Sequence, residues 1–346
     1  MDLLIPEQLP ERIDDVEALE ELLSRPSQAL IDDLAALDGD IIILGVAGKV
    51  GVCLARLAKR AAPEKRVVGV ARFSDAEARQ RLEAWGVETV ACDLLDRQAV
   101  AALPKLPNVI YMAGLKFGTG ENPGFAWAMN SHVPAIVAEA FAQARIVAFS
   151  TLCVYPFVEV TGPLCDEDTP PLPIGEYANS CVARERLFQY FSAQHDTPGR
   201  LIRLNYAIDL RYGVLFDIAS WVYEGRPIDL GTGHANVIWQ GDVNAQVLRA
   251  LGHCQVPSRP LNMGGPEAAS VRALADAFGR RFGREPLFAG EEGATAWLND
   301  TSLAAQLFGY PLVPLERMLD WTVDWIERDM PHYDKPTRYE IRDGQF

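Results

Sequence analysis

Ile41-Ile42-Ile43-Leu44-Gly45-Val46-Ala47-Gly48-Lys49-Val50-Gly51 is an aliphatic run that breaks at a glycine and resumes with a helical pattern. Four consecutive aliphatic residues bounded by a turn signal read as a strand buried on both faces. The glycines have separate tasks. Gly45 permits the tight turn, Gly48 lets backbone approach a pyrophosphate, and Gly51 lets the helix pack close to the strand. The helix then begins with its free N–H groups turned toward negative charge. Strand, glycine turn and helix in this order predict a dinucleotide-binding βαβ unit, spaced G-x-x-G-x-x-G instead of the commoner G-x-G-x-x-G. Lys49 and Val50, inside the turn, are further candidate contacts.

Working outward, short strand-like runs recur at Val67–Ala71, Glu88–Ala91, Val109–Met112, Ile146–Phe149 and Arg200–Leu204, each followed by a helical pattern. This alternation predicts an α/β fold with a Rossmann-type doubly wound parallel sheet over residues 39–205. Residues 1–38 form an acidic lead-in, with Leu19, Leu22, Leu23 and then Ile31, Leu34, Leu37 at helical spacing. They are expected to be a helical extension on the outside of the fold. From residue 206 Gly and Pro become frequent, and helices resume at Val271–Phe282 and Leu315–Glu327. A smaller C-terminal α/β substrate lobe, partly interleaved with the sheet domain, is expected over 206–332, above the carboxyl ends of the strands. Residues 333–346 read as a polar, loosely docked tail.

Across 346 residues, 47 acidic and 32 basic side chains leave a net charge of −15. That balance argues against a nucleic-acid partner, whose phosphates need clustered Lys and Arg. No apolar run reaches the ~18 residues of a membrane helix, and no basic segment followed by an apolar stretch opens the chain. A cytoplasmic location is expected, with no membrane partner. The six cysteines show no C-x-x-C spacing and read as buried thiols. The five histidines form no paired motif, so no metal is expected.

The second strand ends Val70-Ala71-Arg72, at the place where an acidic residue would hold a ribose 2′-hydroxyl. A guanidinium there suits a 2′-phosphate instead, which favours NADP as cofactor, with NAD possible.

Several separate motifs now fall in the order of a known family. Asp93-Leu94 follows the third strand. Tyr111-Met112-Ala113-Gly114-Leu115-Lys116 follows the fourth, and Asn130 lies in the next helix. Phe149-Ser150-Thr151-Leu152-Cys153-Val154-Tyr155-Pro156 follows the fifth, and Tyr177 heads the helix after it. Over about residues 40–250 the chain resembles the extended short-chain dehydrogenase/reductases, the NAD-dependent epimerase/dehydratases of sugar metabolism. The resemblance implies cofactor contacts from Asp93, Leu94, Ala113, Gly114, Lys116, Asn130 and Tyr177. It implies Thr151 and Tyr177 as the hydroxyls that hold and protonate the substrate oxygen, and Cys153 as a substrate neighbour.

One position departs from that pattern. The family places lysine four residues after the tyrosine, on the same helix face, where it lowers the tyrosine pKa from its ordinary ~10. Here Cys181 stands in its place. Three readings follow. A cation from elsewhere substitutes, Arg184 two turns along the helix or Lys116 from the fourth strand. Alternatively Cys181 and Cys153 form a redox-sensing thiol pair, or catalysis has been lost and a cofactor-binding protein remains.

Arg203-Leu204-Asn205-Tyr206 resembles the family's substrate stretch, with Asn205 as the contact. The segment Gly231–Asp242 departs from the family by lacking a clear counterpart of its diphosphate-binding arginine. Its residues suggest a smaller polyol or weakly acidic substrate, not a nucleotide-diphosphate sugar. Trp239 would stack on a sugar face, Asn236 or Gln240 would bond hydroxyls, and His234 would assist as a base. The reading is an NAD(P)-dependent oxidoreductase or epimerase acting on a hydroxyl or carbonyl of a sugar or sugar acid. The alternative is a non-catalytic NADP-binding redox sensor. The family's habit of dimerising suggests a homodimer through helices near Pro134–Ala144 and Tyr177–Gln194.

Overall fold

The structure, a computed structural model, describes residues 2–345. Seven strands build one sheet: β1 (Ile41–Leu44), β2 (Val67–Ala71), β3 (Glu88–Ala91), β4 (Asn108–Tyr111), β5 (Arg145–Thr151), β6 (Gly199–Leu204) and β7 (Arg259–Met263). Their spatial order is β3-β2-β1-β4-β5-β6-β7, every neighbouring pair parallel. This is a Rossmann-type α/β fold. The strand order reverses between β1 and β4, and the crevice beyond their carboxyl ends is where such sheets take ligands.

The first six strands lie where the hydrophobic runs placed them. β7 falls in the Gly- and Pro-rich stretch expected to form the C-terminal lobe. Its Pro260 cannot donate to a ladder, and the strand sits at the sheet edge where that is tolerated.

All four residues of β1 are fully buried, and successive side chains point to opposite faces. Ile41 and Ile43 pack with Leu54 and Leu57 of the Gly51–Ala61 helix, while Ile42 and Leu44 pack with Val100, Val137 and Phe141. The sheet is thus covered on both sides, which explains its unbroken aliphatic strands.

The N-terminal extension is more deeply engaged than its sequence suggested. The Val16–Leu23 helix, capped by Asp15, buries Leu19, Leu22 and Leu23 in a core shared with Trp239, Phe278, Trp321 and Trp325 of the C-terminal lobe. Each such leucine contributes about 1.5–3 kcal/mol. The Gln28–Ala36 helix places Leu30 and Leu34 against the sheet-side core. Glu20 pairs with Arg81 and, at 2.8 Å, with Arg211, itself held by Asp209 at 2.7 Å.

The tail, expected to dock loosely, is anchored at several points. Thr337 donates to Asp217 Oδ2 from its N–H at 2.8 Å and its hydroxyl at 2.5 Å. Tyr339 is buried in the lobe core. Arg342 donates to Thr295 O at 2.7 Å and lies 3.9 Å above the Phe157 ring. Among the described residues no helix is long and apolar enough to cross a membrane, and no His/Cys/Asp/Glu group could hold a metal ion.

Candidate active site

The glycine turn after β1 explains its own sequence. Gly45 has φ +93°, and a Cβ there would lie 2.7 Å from Ala113 N. A Cβ on Gly51 would lie 2.3 Å from Val46 O, so the helix approaches the strand only without a side chain. At Gly48 a Cβ would meet only Gly45 O, at 3.7 Å; no protein contact demands this glycine, and the face it leaves bare opens into a cavity. The Gly51–Ala61 helix has no side-chain cap; Gly51 N–H donates to Gly48 O at 3.1 Å, and the next N–H groups of the first turn are left for an anion.

That cavity, ≈290 Å³, brings Gly45 and Gly48 together with Arg72, Asp93, Leu94, Ala113 and Gly114. Arg72 is exposed and its guanidinium has no hydrogen-bond partner among the described residues. A glycine cradle, an uncapped helix start and an unpaired guanidinium fit the phosphates of a dinucleotide. Lys49 parts company with them. Its ammonium lies 3.2 Å above the Tyr212 ring and 5.6 Å from that of Tyr333, so it does not join Arg72. A space of ≈670 Å³ on its outer side is bounded by Arg81, Tyr333 and Lys335, where extension and tail meet the glycine turn.

On the inner side of Lys49 lies a second cavity of ≈200 Å³. Thr151, the last residue of β5, enters it from the sheet; Tyr177 comes from the first turn of the Gly175–His195 helix and Lys116 from the loop after β4. Val50, Cys153 and Asn205 line the same space. Thr151 Oγ1 accepts from Cys153 N at 3.2 Å and shares a side-chain hydrogen bond with Tyr177. Burial, reinforced by Cys181 and Cys153, holds the Tyr177 phenol well above its ordinary value; Arg184 and Thr151 oppose the shift. Burial also lowers the Lys116 ammonium.

Cys181 is fully buried beside Val154, Tyr155 and Cys165, and burial pushes its thiol up to about 11. Burial raises the Cys153 thiol too. Burial disfavours the thiolate of both, and each shares a side-chain hydrogen bond with a hydroxyl of the site, Cys181 with Tyr177 and Cys153 with Thr151.

Arg184 is spent on structure. It donates to Phe149 O (2.9 Å), Asn130 O (3.3 Å) and Asn130 Oδ1 (2.8 Å), and acts on Tyr177 only through its field. Asn130, expected to contact cofactor, is saturated by protein. Its Oδ1 also accepts from Leu115 N at 2.8 Å, while Nδ2 donates to Leu115 O (2.8 Å) and Ser180 Oγ (3.0 Å). It sits in a π-helical turn, Ala128–His132, and holds the 113–116 loop in place. Farther along the Gly175–His195 helix, Glu185 accepts from Ser150 Oγ at 2.6 Å and pairs with Arg203 at 2.7 Å. That buried network fixes the end of β5 against the helix.

The Gly231–Asp242 segment corrects three expectations. Asn236 is fully buried, accepts from Asn205 and Asn299, and donates to Gly265 O and Glu267 O. Trp239 packs in the core, 5.2 Å from Trp321, and His234 pairs with Ser270 in a two-stranded ribbon. None of the three lines the cavity that holds Thr151 and Tyr177. Asn205 does line it, though both its amide hydrogens go to Asn236 and Asn299. Gln240, Tyr206, Tyr212 and Thr337 line it as well. Of these only Gln240 was singled out in the sequence. Tyr206 had a signal, its place beside Asn205, but nothing near Thr337 distinguishes it.

Residues 41–208 match the model of the NAD dependent epimerase/dehydratase family. No curated protein matches the chain. Among solved structures, MoeE5 in complex with UDP-glucose and NAD is similar at 22% identity and a TM-score of 0.67, over 84% of this chain and 99% of that one. The UDP-glucose 4-epimerase of Thermotoga maritima with UDP-glucose is similar at 18% identity and a TM-score of 0.69, with the same coverage. The UDP-glucuronic acid 4-epimerase of Bacillus cereus, in complex with UDP-glucuronic acid and NAD, follows at 19% and 0.68, again covering 84% and 99%. At such identities the likeness is one of fold.

Proposed function

We propose that the chain is an NAD(P)-dependent member of the epimerase/dehydratase family that acts on a hydroxyl or carbonyl of a sugar or sugar-acid-like substrate. One observation carries the reading: Thr151, Tyr177 and Lys116 converge on one small cavity beside the glycine turn. A nicotinamide cofactor held by that turn supplies hydride exchange. The chain's own part is the proton. Thr151 holds the substrate oxygen, and Tyr177 delivers a proton to it or removes one. Tyr177 rests protonated, which suits delivery to a carbonyl oxygen. Lys116, in the same cavity, supplies the positive charge that favours the phenolate when the proton leaves. Arg184 is a positioning residue for the loop that carries Lys116.

NADP is the preferred cofactor on this reading because the unpaired Arg72 guanidinium borders the ribose-side cavity. The neighbours named above carry NAD in two cases, so both dinucleotides belong in the test. Purified protein is titrated with NADP and NAD, then offered aldoses, sugar acids, polyols and UDP-sugars. Nicotinamide absorbance and product composition are followed together, since an epimerase returns its hydride internally. Turnover of any member of the panel supports the proposal. Tight cofactor binding with no absorbance change and no product would replace it with the redox-sensor reading.

A further inference from the structure

The chain carries 47 acidic residues, yet no Asp or Glu lines the catalytic cavity, whereas Lys49 and Lys116 both do. Of the acids that act on these lysines, Glu340 is felt by Lys116 and its Oε2 has no hydrogen-bond partner, but it lies outside the lining; the other two are engaged. Asp209 pairs with Arg211 at 2.7 Å, and Asp217 accepts twice from Thr337. The cavity therefore presents positive charge on a molecule that is negative as a whole. Gln240 adds a second signal. It is 3% exposed, lines the same cavity, and its Nε2 has no hydrogen-bond partner. A buried donor left unmade costs about 1–3 kcal/mol, which an acceptor oxygen of a ligand recovers.

The cavity is also small. Its ≈200 Å³ lies below the ~300–1,000 Å³ typical of sites for drug-sized ligands. Lys49 is held on the Tyr212 ring, and burial together with Lys335 and Lys116 lowers its ammonium to about 8, against the pull of Asp209 and Asp217. An arriving anion relieves both the burial penalty and the repulsion among the lysines.

We propose that this cavity takes a small hydroxy acid of the sugar-acid class, with Lys49 and Gln240 holding its carboxylate and Thr151 and Tyr177 its reacting oxygen. The inference rests on the oxidoreductase reading above and narrows it to an anionic substrate without a nucleotide.

The test uses the full-length protein with saturating NADP or NAD and matched compounds: D-glucuronate, D-galacturonate and D-gluconate against D-glucose, D-galactose and sorbitol, with UDP-glucuronate alongside. The free acids are expected to exceed their neutral parents in kcat/KM by about 10–100-fold, the range of a charge-assisted hydrogen bond. Lys49→Met and Gln240→Leu each remove a group from the cavity wall, and each is expected to lower kcat/KM for the acids through KM by about tenfold more than for the neutral sugars, with cofactor Kd followed in parallel. Neutral sugars used as well as acids, turnover confined to UDP-glucuronate, or an acid preference that survives both substitutions would overturn the inference while the oxidoreductase reading stands. A Lys49→Met chain that loses cofactor affinity would also overturn it, by assigning Lys49 to the dinucleotide. Turnover of nothing in the panel would sink the parent reading itself.

Discussion

Arg184 Nη2 donates to Asn130 Oδ1 at 2.8 Å, and this bond decides which cation is left to serve Tyr177. With its other donors on Phe149 O and Asn130 O, the guanidinium is committed to holding the 113–116 loop. Arg184→Met should therefore be primarily a stability variant. It removes three buried hydrogen bonds at once, Asn130 Oδ1 keeping only Leu115 N, and a loss of about 3 kcal/mol in chemical denaturation is expected. A variant as stable as the wild type would contradict the structural role.

Cys181 sits one turn after Tyr177 with no exposure. Cys181→Ala should cost about 1–2 kcal/mol in packing and in its hydrogen bond to Tyr177, and keep turnover within about tenfold, because the thiol supplies no charge. Cys181→Lys should lower Tm and raise no activity, since the new ammonium would be buried among Val154, Tyr155 and Cys165, within the field of Arg184. Enhanced turnover on introducing lysine would show that the site lacks the cation assigned to Lys116.

Arg72 should discriminate between dinucleotides. Arg72→Ala is expected to weaken NADP binding about 10–100-fold and to leave NAD within threefold, as read by calorimetric titration. Equal losses for both would place the guanidinium on a group that the two share.

Asp217 ties the tail to the lobe, and burial raises its carboxyl to about 6 from an ordinary 3.8. The folded state thus binds the proton more tightly than the unfolded chain. The stability this contributes is complete below about 3.8 and is lost as pH rises through about 6. Both Thr337 bonds go to Oδ2, which an asparagine oxygen can replace. Asp217→Asn should therefore gain in Tm over wild type as pH is raised from 4 to 7. A difference independent of pH would contradict the assignment.

The fold was largely legible because its strands are buried on both faces and betray themselves as aliphatic runs, Ile41–Leu44 above all. The strand Arg259–Met263 escaped because an edge position admits Pro260, which speaks against a strand when read alone. Thr151 and Tyr177 were legible from motif order. Asn236 and Trp239 were misjudged for a physical reason: whether a loop side chain faces a cavity or the core is set by contacts with distant residues, here Asn205, Asn299 and Trp321. The tail misled likewise. A polar composition says nothing of a partner such as Asp217, 120 residues earlier in the chain.

The proposed chemistry turns on the proton at Tyr177 Oη. The decisive measurement is the single-turnover rate of hydride exchange for wild type and Tyr177→Phe, at saturating cofactor, with cofactor Kd measured on both. A loss of about 10²–10⁴-fold in rate at unchanged Kd is predicted. A Tyr177→Phe chain as fast as wild type would contradict it.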